Sequence, residues 1–198
     1  MANLDLFYSV ITLFIWILLA DFLTGVVHFW MDVYGKEDMP FVGKMVIEIN
    51  VLHHSDPRHM IKQNYWFLTR ASWLLAVIIY VISWVFMGAH SWKLAIFLVY
   101  AAQANLFHKW AHQHPWERSR FATVLQKLYI IQSPHHHHLH HNEDAEGFYD
   151  RQYCILTNFL NPILDKIWFW EFVVWFFGKL GIQTRDDCRL RNVTKRLG

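Results

Sequence analysis

Apolar residues run unbroken along this chain for lengths that a surface helix never needs. Residues 6–28 are apolar except for Ser9, Thr12, Asp21, Thr24 and His28. Residues 67–87 carry one charge, Arg70, near their start, and 92–112 are apolar from Leu94 to Phe107 apart from Gln103 and Asn105. A bilayer is crossed by about 20 apolar residues rising 1.5 Å each, so all three stretches are predicted to span one. Trp30, Trp66, Trp84, Trp92 and Trp110 sit at their ends, as an interfacial aromatic belt would place them. Buried in a soluble core, the same stretches would need amphipathic helices to cover them, and the rest of the chain supplies none. A fourth segment, 160–179, is rich in Trp and Phe but interrupted by Asp165, Lys166 and Glu171. It predicts a helix lying in the interface, with a fourth span as the alternative. No basic stretch precedes residue 6 and no small-residue cleavage pattern follows the first run, so that run is expected to persist as an anchor. The expected fold is an all-α integral membrane domain over 1–198, with three or four transmembrane helices and a polar basic tail at 181–198.

Composition agrees with the pattern and adds a direction. Charged residues make up 17% of the 198, against about a quarter in soluble domains. A net charge of +2 leaves no nucleic-acid footprint, and 2 Cys exclude a disulfide scaffold. Of the 18 Lys and Arg, five lie between the first two spans (Lys36, Lys44, Arg58, Lys62, Arg70) and twelve from Lys109 onward. This bias predicts an outside N-terminus and a cytoplasmic large loop and C-terminal region, with Cys154 and Cys188 as reduced thiols. Either a bacterial inner membrane or, in a eukaryote, the endoplasmic reticulum fits.

Fourteen histidines then become informative. All but His90 fall on the predicted cytoplasmic side, although none entered the orientation argument. His108 and His112 are one helical turn apart, a metal-binding separation, with Asn105 on the same face. Asp21, Gly25, His28 and Asp32 form one stripe of the first helix. An acid inside a span is costly without a partner, and a ligating imidazole needs its second nitrogen held, so an acid on this stripe has a natural role. His53-His54 precede Ser55-Asp56-Pro57, and His137, His140 and His141 form His-x-x-His-His beside His136. One histidine from the first helix, two from the loop, two from the third helix and these three make eight. A single zinc closes with four ligands, so two metals with open positions fit the count better. On a membrane protein that points to a di-iron, oxygen-activating centre. His59, His90, His114, His135 and His138 read as surface or outer residues. A His-rich loop of a metal transporter or sensor is the rival from another class. An expression tag and a bis-histidine haem fit less well, the run being internal and the pairs too shallow. No Gly-x-Gly fingerprint is present, so electrons must come from elsewhere.

The ordered set of motifs resembles the Kua family of membrane lipid desaturases, which includes plasmanylethanolamine desaturase and the plant phosphatidylglycerol palmitate desaturase. The likeness is carried by Ala20-Asp21 through Gly25, His28 and Asp32; by His53-His54-Ser55-Asp56-Pro57; by Asn105 through His112; by His136 through His141; and by Tyr153-Cys154-Ile155 with Thr157, Leu160 and Asn161. It departs from the family pattern at 66–70 and in a longer, more acidic loop at 142–147, both placed to line a substrate entrance. The resemblance implies an O₂-dependent di-iron oxidoreductase that introduces a double bond near the glycerol end of a phospholipid chain, vinyl-ether formation included. Its implied metal ligands are His28, His53, His54, His108, His112, His137, His140 and His141. Asp21, Asp32, Asp56, Asn105 and His136 are expected as further ligands or as partners of ligands. A hydroxylase built on the same centre is the nearest alternative. The basic tail (Lys179, Arg185, Arg189, Arg191, Lys195, Arg196) would dock an electron donor such as cytochrome b5 or ferredoxin, or anionic headgroups.

Overall fold

The structure, a computed structural model, describes residues 2–88, 91–141 and 151–185. His90, the loop at 142–147, Cys188 and the basic residues beyond 185 lie outside the described residues. Among the described residues the regular structure is all helix, with no strand. Two helices are long and apolar enough to cross a membrane: α1, Ala2–Val33, and α4, Tyr65–Met87. Asn64 opens α4 by accepting a hydrogen bond from the Phe67 N–H at 2.8 Å, and Gly88 closes it in a left-handed conformation. Both leave large apolar side chains exposed, including Phe7, Val10 and Ile15 on α1 and Leu74, Ile78, Val85 and Phe86 on α4. Contiguous exposed apolar surface of this extent is unusual on a water-facing helix.

The expected third span, 92–112, is broken. It forms α5, Trp92–Ala102, and α6, Ala104–His112, with Gln103 between them. At that step the Gln103 N–H bonds to the Tyr100 carbonyl and the Leu106 N–H to the Gln103 carbonyl, so the i→i−4 ladder tightens for a turn. α5, packed between α1 and α4, buries Leu98 and Ala102 against Ala76, while Trp16 meets Phe97 edge-to-face at 5.8 Å. The segment 160–179 likewise divides, into α9 (Asn161–Lys166) and α10 (Phe169–Lys179). Eleven residues in α10 rise about 16 Å, half of a hydrocarbon core, so α10 by itself is too short for a span. One face of α10 is buried instead: Trp170 stacks on Phe29 at 4.8 Å and meets Tyr153 edge-on at 5.0 Å.

Short helices gather around the end of α1. A π-helical turn (Gly43–Ile47) leads into α2 (Glu48–Ser55), and α3 (Pro57–Lys62) follows. Past α6 come α7 (Arg120–Lys127), opened by Ser119, and α8 (Pro134–His141), opened by Ser133 with Pro134 in its first turn. Before α9, residues 151–158 cross the interior as a non-helical strap, with 152–158 all buried. Backbone polar groups in such a place need partners. Asp21 accepts the Leu156 N–H at 2.8 Å and the Thr157 hydroxyl. Asn161 accepts from the Cys154 N–H at 3.0 Å and donates to the Cys154 carbonyl at 2.7 Å, and Gln132 donates to that carbonyl too. The strap lies so close to α1 that a Cβ on Gly25 would stand 2.7 Å from Cys154 Sγ and 3.1 Å from its Cα.

Candidate metal centre

The structure brings all eight expected histidines together, in two adjoining groups. His53, His108, His112, His137 and His141 form the first, and His28, His54 and His140 with Asp32 the second. Within each group the donor atoms lie within 4.8 Å of one another. Helical spacing explains the division. Residues four apart share a face, so His108/His112 on α6 and His137/His141 on α8 converge on the first group, and His28/Asp32 on α1 enter the second. Neighbouring residues diverge by about 100° around a helix, so His53/His54 and His140/His141 each send one ring to either group. The groups touch, with ring centroids 4.8 Å apart for His54–His141 and 5.1 Å for His140–His141.

The chemistry of these donors fits metal ions. His137 Nε2 lies 3.0 Å from His112 Nε2 and 3.1 Å from His141 Nε2. Two nitrogens bound at right angles to one ion at about 2.1 Å would be ~3.0 Å apart. In the second group the Asp32 carboxylate stands 3.3 Å from His28 Nε2, 3.2 Å from His54 Nε2 and 3.5 Å from His140 Nε2. The Nε2 atoms of His28, His53, His108 and His140 are buried without a hydrogen-bond partner, a cost that a bound cation removes. Their opposite nitrogens are held. His28 Nδ1 bonds the Tyr153 carbonyl at 3.1 Å, His140 Nδ1 the Arg151 carbonyl at 2.8 Å, and His53 Nδ1 the Asn50 carbonyl. A carbonyl only accepts, so each Nδ1 carries the proton and each Nε2 lone pair faces the site. Burial, with the surrounding imidazoles, holds His53, His137 and His141 below the usual histidine range, leaving them neutral and able to ligate near pH 7.

The five additional candidates fare differently. Asp32 belongs to the second group, with Asn50 donating to its Oδ1. Asp21 lies in neither group; its carboxylate anchors the strap that supplies the Tyr153 carbonyl to His28. Asp56 is a helix cap, accepting the Arg58 N–H at 3.1 Å where Pro57 opens α3. Asn105 donates to the Leu68 carbonyl at 2.8 Å, tying α6 to α4. His136 stands outside both groups, its N–H bonded to Ser133 Oγ. Sequence reasoning missed Asn50 and the carbonyls of Arg151 and Tyr153. Asn50 sits one turn before His53, a readable signal, whereas a carbonyl leaves no trace in residue identity.

Two cavities flank the centre. One of about 460 Å³ opens onto His112, His137 and His141. A smaller one of about 70 Å³ is walled by Met31, Met45, Met60, Phe67 and Leu68 and reaches Asn50.

Comparison with known proteins gives the family. The family model described as lipid desaturase domain matches residues 17–187. A protein of Acanthamoeba polyphaga mimivirus named as a probable fatty acid desaturase is 31% identical over 156 residues, which are 78% of this chain and 74% of the relative. Plasmanylethanolamine desaturase 1 of Mus musculus is 29% identical, over 78% of this chain and 59% of its own length. Plasmanylethanolamine desaturase of Myxococcus xanthus is 27% identical, over 86% of this chain and 61% of its own length. The chain thus spans about six tenths of the mouse and Myxococcus proteins it matches. No solved structure matches.

Proposed function

The chain belongs to the lipid desaturase domain family, and on that premise we propose that it is an O₂-dependent di-iron phospholipid desaturase acting near the glycerol end of an alkyl or acyl chain. The observation that carries this reading is the pair of adjoining donor groups, five imidazoles in one and three with a carboxylate in the other, with His28, His53, His108, His137 and His140 fully buried. Imidazole-rich sets of this kind suit iron, and neither group needs all its donors to leave a coordination position open. The names of the mouse and Myxococcus relatives favour plasmanylethanolamine as substrate and a vinyl ether as product.

Bound iron would supply the reductive activation of O₂ that removes hydrogen from two neighbouring carbons. In balance, one O₂, two electrons and two protons, together with the two hydrogens of the lipid, give the alkene and two waters. The electrons come from a one-electron carrier such as cytochrome b5 or ferredoxin. The chain's own residues do the rest. His53, His108, His112, His137 and His141 would hold one ion, and His28, His54, His140 and Asp32 the other. Backbone carbonyls of Asn50, Arg151 and Tyr153 fix the tautomers, so no proton has to leave an Nε2 before metal binds. The small cavity beside Asn50, walled by Met31, Met45, Met60 and Phe67 with Arg70 and Asn105, and the larger His-lined cavity offer two approaches to the centre.

Mass spectrometry of lipids from a host expressing the chain tests the proposal. The expected product is a phospholipid two hydrogens lighter, with the new double bond close to the glycerol, from protein holding two irons. A hydroxylated chain without a new double bond would replace desaturation by hydroxylation. Zinc without iron, and no O₂ consumption, would sink both.

A further inference from the structure

The cavity of about 460 Å³ beside the first histidine group falls in the size range of small-ligand sites, about 300–1,000 Å³. Besides His112, His137 and His141 its wall carries His114, His135 and His138, which the metal centre does not use. It also carries Arg118 and Gln113 and, among the described residues, no carboxylate. A vestibule for cations would be built the other way round.

Two of those groups are left in want of a ligand. Arg118 spends one Nη on Gln126 Oε1, while its Nε is buried without a hydrogen-bond partner. Gln113 Oε1 is likewise buried with none. One is a cationic donor and the other an acceptor. The neighbouring carboxylate, Glu117, does not neutralise Arg118. It is taken by Arg58 at 2.6 and 2.8 Å and by the His114 N–H at 2.9 Å. The residues next to this wall in sequence carry a second signal. Trp116, 79% exposed, stacks on His114 at 4.5 Å, and Phe121, 66% exposed, begins an apolar face of α7 continued by Val124 and Leu128. Arg120 and Lys127 bound that helix. Exposed aromatics flanked by cations sit at headgroup depth.

We propose that this cavity is the headgroup site, in which Arg118 binds the phosphodiester of a phospholipid and Gln113 accepts a hydrogen bond from the head alcohol's amine or hydroxyl. A guanidinium matches phosphate geometry with paired donors. The anchored headgroup holds the first carbons of the chain beside His112, His137 and His141. That sets the reacting position by distance from the phosphate. Arg118 and Gln113 are thus positioning residues; the inference rests on the desaturase reading for its chemistry but not for its binding site.

The test uses metal-loaded, detergent-solubilised protein, with water-soluble glycerophosphoethanolamine and inorganic phosphate as competitors. Arg118→Gln is expected to raise KM for phospholipid about tenfold, with the effect on KM rather than kcat and with metal content unchanged. The glycerophosphodiester should broaden in ³¹P spectra with the parent protein and not with Arg118→Gln. Arg118→Lys should restore part of the binding, and Gln113→Leu should weaken it with the charge intact. An unchanged KM and unchanged ³¹P binding in metal-replete Arg118→Gln would overturn the proposal, as would inorganic phosphate competing as well as the diester. If the parent protein makes no desaturated lipid, the desaturase reading falls and the ³¹P comparison still decides the headgroup site.

Discussion

Asp32 separates this centre into two unequal halves, because among the described residues it is the only charged donor in either group. Three imidazoles and a carboxylate can hold a divalent ion with fewer neutral donors than the five-histidine group uses. Asp32→Ala is expected to leave one iron per chain where the parent holds two, read by elemental analysis and protein mass. His108→Ala should cost the other ion less, since four imidazoles remain in its group. A second prediction follows from the burial of His53 and His137, which lowers their pKa values in the folded chain. In the unfolded chain they titrate near about 6.5, so below that pH the unfolded state takes up protons that the folded state refuses. Stability of the metal-free protein is therefore complete above about pH 7 and lost as pH falls. Each of these two buried rings adds to that loss as pH falls through about 6.5. Thermal unfolding of chelator-treated protein between pH 7.5 and 5.5 checks the sign. Most of this residue chemistry was legible, since His108/His112 and the His137–His141 run declare themselves by helical spacing. Asp21 was not. An acid within a span does need a partner, but its partner is a strap more than 130 residues away with no periodicity to announce it.

That strap is the element on which the second group depends. Its carbonyls at Arg151 and Tyr153 hold His140 and His28, and α1 accommodates it only because position 25 has no side chain. Gly25→Ala would place a methyl 2.7 Å from Cys154 Sγ and close to the Cys154 backbone. Overpacking of this kind costs about 1–3 kcal/mol. The expected outcome is a lower melting temperature together with loss of iron from the second group. Adding Cys154→Ala should recover only part of it, because the backbone contacts at 3.1 and 3.2 Å remain. Asp21→Leu should act on the same element by stranding the buried Leu156 N–H, a loss of about 1–3 kcal/mol. The role of Tyr153, Cys154, Thr157 and Asn161 was visible beforehand only as part of a likeness. Hydropathy also ran straight across Gln103, because a one-turn tightening of the backbone changes no residue's polarity. It is the short α6 beyond that step that carries His108 and His112 to the other ligands.

At the scale of the whole molecule, the candidate ligands come from the end of α1 and from α2, α6 and α8, so the centre lies at one end of the two long apolar helices. Lys and Arg are concentrated in the same parts of the chain, five between the first two apolar stretches and twelve from Lys109 onward. From the positive-inside bias we propose an orientation with the centre, the large cavity and the Trp116–Phe121 segment on the cytoplasmic face. Reaching a reduced electron carrier requires this orientation, which makes sidedness a condition of the proposed chemistry. Single cysteines test it in a background where Cys188 is replaced by serine and the buried Cys154 is kept. Leu4→Cys and Ser91→Cys are expected to react with a membrane-impermeant maleimide in intact cells. Trp116→Cys should react only after the membrane is opened. Labelling of Trp116→Cys in intact cells, with Leu4→Cys protected, would invert the molecule and separate the centre from any cytosolic electron donor.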